Sequence, residues 1–447
     1  MSLVTKAIGC AKRLKHRFQD EIKARTPVYL SPVRRIERVA LKERVVAMTF
    51  DDGPCALPAN PPRDGDKPLT LCILETLEKY GARGTFDVVG DTSENYPDTV
   101  GREGTAAWGG VKFDHYPDFE KDAFGGVKAC PQLTAKILEG GHEITSHTWA
   151  HVLFGPKPLI YGNRDPLKNI DEVIADLKKM DDHMRENYGY NIRLSRPPHY
   201  VDKTYDGLSS YDAYAVMGYQ YLAAEFDGAG WLPLSTYEAE VEAMWKPVER
   251  ALKADPDSMC GQIIFQKDGY NMSRRSPVAH GLEKQLELLY GSGYRVVTVS
   301  QLLDMCPFSD VFPDSAVFAP AKKLLEHGLC VCYRDNTLRP GNILTRGELA
   351  MMLYGGGEKS ARRKIELVHK REKPARDVSF KYPYAAAIAQ ALKSGEMKAA
   401  HGRFMPEKAV TPLEFADICK IHFGCEIMPP VGTLTHEKAI TAMSQVL

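Results

Sequence analysis

The stretch Thr49-Phe50-Asp51-Asp52-Gly53-Pro54 closes an apolar run, Val45-Val46-Ala47-Met48, and constrains the fold more than any other segment of the chain. A β-branched, apolar run ended by Gly-Pro reads as a buried strand entering a turn. Two adjacent carboxylates at that point repel each other and lose hydration. Such a pair is costly unless a cation or a proton gives each acid its own role. Taken alone, the hexapeptide also fits two turn acids in solvent.

Strand-like runs recur after it, at Gly84–Val89, His142–Thr145, Tyr221–Phe226, Gln262–Phe265 and Tyr294–Val299. Helical patterns lie between several of them, at Leu71–Tyr80, Asp171–Glu186 and Thr236–Lys253. This alternation predicts an α/β fold with a parallel sheet, a distorted (β/α) barrel. The C-terminal ends of the strands, where Asp51, Asp52 and His147 fall, are then the place for an active site. Residues 91–130 form a Gly- and aromatic-rich segment with Trp108, Phe113, His115 and Tyr116. It is longer than an ordinary connection and suits a lid, a substrate wall or a structural Ω-loop.

His147 and His151 stand four residues apart, which on a helical turn puts both imidazoles on one face, suited to holding one metal ion. By itself the pair also fits two surface histidines. Together with a carboxylate it makes a borderline-hard site with open positions. In Ser195-Arg196-Pro197-Pro198-His199-Tyr200, Arg196 offers a planar guanidinium for a carboxylate and two prolines stiffen the loop behind it.

The order TFDDGP, then His-Thr-x-x-His over 147–151, then Arg196-Pro197-Pro198, resembles the polysaccharide deacetylase (NodB-homology) family, carbohydrate esterase family 4, over roughly residues 43–305. The resemblance implies a NodB-type barrel and a hydrolase that removes acyl groups, N-acetyl above all, from a cell-wall or related polysaccharide. It implies that Asp51 is the general base, and that Asp52, His147 and His151 hold a divalent ion, zinc, cobalt or another. Arg196 matches the residue that positions the base, and the His199 backbone N–H the oxyanion donor. Tyr200, Asp227 and Trp231 are expected in the substrate pocket. The chemistry is coherent: a metal activates water and polarises a carbonyl, and the spare carboxylate removes the proton.

The chain departs from the family in its last two motifs. The acid that orients the proton-donating histidine is Gly230, within Asp227-Gly228-Ala229-Gly230-Trp231. The histidine itself is Lys267, at the end of Gly261-Gln262-Ile263-Ile264-Phe265-Gln266-Lys267. Three readings follow. Lys267 or His199 serves as the acid, or an ester leaving group needs less protonation, or the site binds without turnover.

After Asp304 the character changes. Pro340 and Pro406, Thr345 and Thr411, and Glu348 and Glu414 are each 66 residues apart, an internal repeat. With Asp310-Val311 and Asp377-Val378, the pattern resembles S-layer homology modules, at about 307–355 and 376–424 with a partial copy over 430–447. A small, mainly helical repeat domain over 306–447 is expected, with Glu358–Arg376 as a solvated helical connector. The resemblance implies an anionic wall polymer as partner and Arg346 as its binding residue, through bidentate bonds. A domain-packing role for the repeats competes with this.

The 58 basic and 58 acidic residues balance, so no global field steers the chain toward nucleic acid. Residues 1–42 read as a basic N-terminal helical segment around Lys12-Arg13-Leu14-Lys15-His16-Arg17. No apolar run reaches the roughly 18–20 residues that span a bilayer, and residues 1–30 lack the apolar centre of a signal peptide. Ten cysteines without Cys-x-x-Cys pairs suit a reducing compartment, whereas the family resemblance implies the cell envelope. Three functions stay open: the polysaccharide deacylase, a wall-binding protein with an inactive barrel, and a metal-dependent amidohydrolase for a small C–N substrate.

Overall fold

Strand β2 (Val45–Asp51) is buried along its whole length and has parallel partners on both sides. A continuous apolar run is what a parallel strand covered on both faces requires. The computed structural model describes residues 28–91, 125–155, 166–271 and 273–447. Around β2 lie β1 (Arg35–Ile36), β3 (Thr85–Val88), β4 (Glu143–Ser146), β5 (Leu194–Ser195), β6 (Gln220–Leu222), β7 (Phe226–Asp227), β8 (Ile263–Lys267) and β9 (Arg295–Val297). They form one sheet in the order β1-β6-β5-β4-β3-β2-β8-β7, with β9 against the start of β2. The named strands pair in parallel, and helices cover the curled sheet as the predicted barrel requires.

The helices bury stripes rather than faces at random. In Ile170–Tyr188 the buried Val173, Leu177, Met180 and Met184 recur at helical spacing against the core. Its Asn169 accepts a bond from the Glu172 N–H as N-cap, and Gly189, in the left-handed region, ends it. The register of the sheet then does the work of assembly. Lys267 pairs with Asp51, Asp51 with Asp87, and Asp87 with Thr145, one row across four neighbouring strand ends.

Several expectations are corrected. Tyr221–Phe226 is two strands: β6 stops at Leu222, and β7 begins at Phe226 beside β8 at the other end of the sheet. Residues 28–42 are not helical; β1 pairs with β6, and Leu30 bridges Tyr333. The basic run 12–17 and the residues Trp108, Phe113, His115 and Tyr116 lie outside the described residues.

The C-terminal region is mainly helical, and its repeat is geometric as well as textual. Asp310 accepts from the Leu338 and Arg339 N–H groups at 2.7 and 2.9 Å. Asp377 does the same for Phe404 and Met405, both at 2.8 Å. Thr345, Thr411 and Thr435 each cap the next helix. These helices do not stand apart from the barrel. Leu30, Ile36 and Val45 share one core with Leu344, Leu349, Phe404 and Ile440. Nor is the helix Gly357–Lys370 simply solvated: it buries Ala361, Ile365 and Leu367, and Lys364 pairs with Asp212 of Ser210–Met217 at 2.6 Å.

Arg346 is also turned inward. It is 7% exposed and donates to the Phe404 carbonyl at 2.9 Å, to the Lys398 carbonyl at 2.8 Å and to Glu414. A guanidinium so engaged ties the first repeat to the second. Arg346→Ala should therefore cost about 2–3 kcal/mol of stability, since it strips three acceptors of a charged donor. Denaturant unfolding of the full chain checks this, and an unchanged midpoint would show that the bonds contribute nothing.

Candidate active site and metal centre

The hexapeptide turns where β2 ends. Asp51 closes the strand, and Asp52 has φ 78°, the left-handed region that a non-glycine residue rarely adopts. Gly53 follows because a Cβ there would overlap the Asp268 carboxylate. His151, His199 and Tyr200 also have φ between 50° and 56°. Unfavourable backbone of this kind persists where the surroundings over-determine it, and these four residues line one cavity.

His147 and His151 do not sit on a helical turn. The chain leaves β4 at Ser146 and runs irregularly, with Thr148 at φ 76°. Asp176, from the helix Ile170–Tyr188, shapes this segment by accepting from the Trp149 and Ala150 N–H groups at 2.8 and 3.1 Å. The imidazoles still converge. Asp52 Oδ1 lies 3.3 Å from His147 Nε2 and 3.2 Å from His151 Nε2. These donor atoms all fall within 4.8 Å of one another, and the three residues are buried. One carboxylate oxygen and two imidazole nitrogens suit a borderline divalent ion, so the residues fit the implied metal.

Asp51 is not a member of that trio, although its carboxylate lies within 4.8 Å of donor atoms of His147 and Asp87. Arg196, 1% exposed, donates to Asp51, to Thr49 Oγ1 at 3.1 Å and to the Leu222 carbonyl at 3.4 Å. Phe265 stacks under its guanidinium with 5.4 Å between Cζ and the ring centroid. The arginine is thus a fixed fork that orients Asp51, whose side chain lines the cavity. Burial raises the Asp51 carboxyl and Arg196 pulls it back, leaving it at about 6.

The Asp52 carboxylate is shared. Its Oδ1 faces the imidazoles, while its Oδ2 accepts from the Lys267 ammonium. Burial alone would raise Asp52, but Lys267 and the two histidines outweigh it and hold it well below the usual carboxylate range. His151 is pushed down to about 4 by burial, against the pull of Asp52, and is neutral as a ligand must be. Burial would lower His147 too, but Asp52 and Asp87 beside its two nitrogens push it up to about 10. His199 is held well below the ordinary imidazole value, by burial first and His151 second. A neutral imidazole is a poor leaving-group acid, which weakens the His199 alternative.

Pro197, Tyr200, Glu225, Asp227 and Trp231 complete the walls of a cavity of about 390 Å³. Asp227 and Trp231 are joined, the indole N–H standing 3.1 and 3.2 Å from the two carboxylate oxygens. The expected site residues Asp51, Asp52, His147, His151, Arg196, His199, Tyr200, Asp227, Trp231 and Lys267 all line this one space. Three contributors went unread in the sequence: Thr49 behind Arg196, Asp176 behind the histidine segment, and Asp87. An acid in the otherwise apolar run Phe86-Asp87-Val88-Val89 was the signal for the last.

Residues 38–216 match the family model described as Polysaccharide deacetylase. The barrel carries a polysaccharide deacetylase domain. The chain is 24% identical over 295 residues to the peptidoglycan-N-acetylmuramic acid deacetylase PdaC of Bacillus subtilis, covering 64% of this chain but only 45% of that protein. It is 26% identical over 263 residues to the peptidoglycan-N-acetylglucosamine deacetylase of Bacillus cereus, 58% of this chain and 89% of the relative. Among solved structures, a CE4 family pseudoenzyme from Bacillus anthracis is 16% identical with a TM-score of 0.39, covering 62% of this chain and 70% of that one. The deacetylase match takes in Asp51, Asp52, His147, His151, Arg196, His199 and Tyr200, and it ends before Asp227, Trp231 and Lys267.

Proposed function

We propose that the barrel hydrolyses N-acyl groups, with an acetylated aminosugar polymer of the peptidoglycan type as substrate. One observation carries the reading: Asp51 is fixed by Arg196, faces the same cavity as Asp52, His147 and His151, and is not one of that donor trio. Two acids of the same turn are thereby given different work. A divalent ion such as zinc or cobalt, held by Asp52, His147 and His151, supplies Lewis-acid chemistry to the site. Asp51 takes the proton of the attacking water, and Arg196 keeps it aligned. The His199 backbone N–H is the oxyanion donor of this reading. The walls at Tyr200 and Trp231 give a sugar ring flat apolar faces, and Asp227 gives its hydroxyls an acceptor.

Lys267 favours a second reading, a barrel that binds wall polymer without turnover. The ammonium is spent on Asp52, and Gly230 offers no carboxylate to orient another acid. Because Arg346 faces inward, wall binding by the repeats would have to use other groups. Acetate release from N-acetylated wall fragments and chitin oligomers, followed with zinc- or cobalt-loaded full-length protein, separates the two. Metal-dependent release supports the hydrolase. Co-sedimentation with wall and no release on any of these substrates would replace it with the binding protein.

A further inference from the structure

We infer that Asp87 is a positioning residue of the metal centre, acting through His147; the inference rests on the assignment of His147 as a ligand. Asp87 lies inside β3, fully buried, in a strand whose four residues are all buried. An acid in such a place costs several kcal/mol unless charge and hydrogen bonds compensate it, and an apolar residue would pack there without that cost. Its compensation points at the site. Oδ1 accepts from Thr145 Oγ1 at 2.6 Å. Oδ2 lies 2.9 Å from His147 Nδ1 and has no hydrogen-bond partner of its own among the described residues.

His147 Nδ1 thus stands between two acceptors, Asp87 Oδ2 and the Arg196 carbonyl at 3.0 Å. The two acceptors lie at nearly equal range from that nitrogen. Both keep the proton on Nδ1, so that Nε2, which faces Asp52, is the nitrogen left to serve as the ligand. A carbonyl alone would fix that tautomer. The carboxylate adds negative charge behind the ring, which strengthens Nε2 as a donor, the role an acid beside a ligating histidine plays in metal sites generally. The sheet supplies the placement: Asp51, Asp87 and Thr145 are consecutive members of one cross-strand row, and His147 follows β4 by one residue.

Asp87→Asn keeps the shape and removes the charge. In the full-length protein, titrated with zinc against a chromophoric chelator, the variant should bind zinc about 10–100-fold more weakly than the parent. The visible bands of the cobalt-loaded protein should shift as well, a signature that packing alone would not move. Thr145→Val frees Oδ1 without touching the charge and should weaken zinc binding by a smaller factor, which keeps the test open if Asp87→Asn fails to fold. Parent protein that binds no zinc would overturn the ligand assignment itself. Zinc affinity and cobalt spectrum unchanged in a folded Asp87→Asn would overturn only the role of Asp87.

Discussion

Asp51→Asn is expected to lower acetate release about a thousandfold, within the 10²–10⁴ range that a positioned general base contributes. Zinc binding should be retained. The substitution leaves Asp52, His147 and His151 in place and removes only the group that accepts a proton. It also leaves the buried Arg196 with Thr49 and the Leu222 carbonyl as partners, so some stability is lost with the rate. The pH profile gives an independent check. With its carboxyl at about 6 in the metal-free protein, Asp51 becomes a carboxylic acid as pH falls through that value, and an acid cannot take a proton from water. Activity should fall on that acid side, at lower pH once a divalent cation adds its charge nearby. The Asn variant should lack this limb. Equal rates in parent and variant would remove Asp51 from the chemistry.

What was legible in the sequence was what short range dictates. The hexapeptide, the histidine pair and Arg196-Pro197-Pro198 carry their geometry in a few consecutive residues, and the long helices carry theirs in a 3.6-residue period. The strands β1, β5 and β7 did not show, because two residues have no period to read. Asp87 and Asp176 escaped for a related reason: each is one acid on an apolar stripe, and its partner belongs to another element. The 66-residue repeat was visible, and its meaning was not. Nothing local says that Arg346 reaches across to Phe404, Lys398 and Glu414 of the next repeat. The same holds at the leaving-group end of the site, where the sequence offers a lysine in place of a histidine and only the pairing of β8 with β2 shows what it touches.

That contact makes Lys267→Met the second large effect. In the metal-free protein the ammonium neutralises a buried carboxylate, and both side chains are under a tenth exposed. Removing one member of such a pair costs up to about 3–5 kcal/mol, of which His147 and His151, beside the other Asp52 oxygen, recover a part. The metal-free variant should therefore unfold at clearly lower denaturant than the parent. The same change removes a positive charge from the edge of the donor cluster, and like charges in a water-poor site repel strongly. Zinc should then bind the variant at least tenfold more tightly and restore most of the lost stability, because ligand binding to the folded state stabilises by mass action. A methionine that left metal-free stability unchanged would mean that Asp52 is not held by Lys267. A destabilised variant that zinc failed to rescue would mean that Asp52 is not a ligand. If both effects appear, Lys267 is the cation that balances Asp52 until the divalent ion arrives. The leaving group must then draw its proton from another donor, or leave without one.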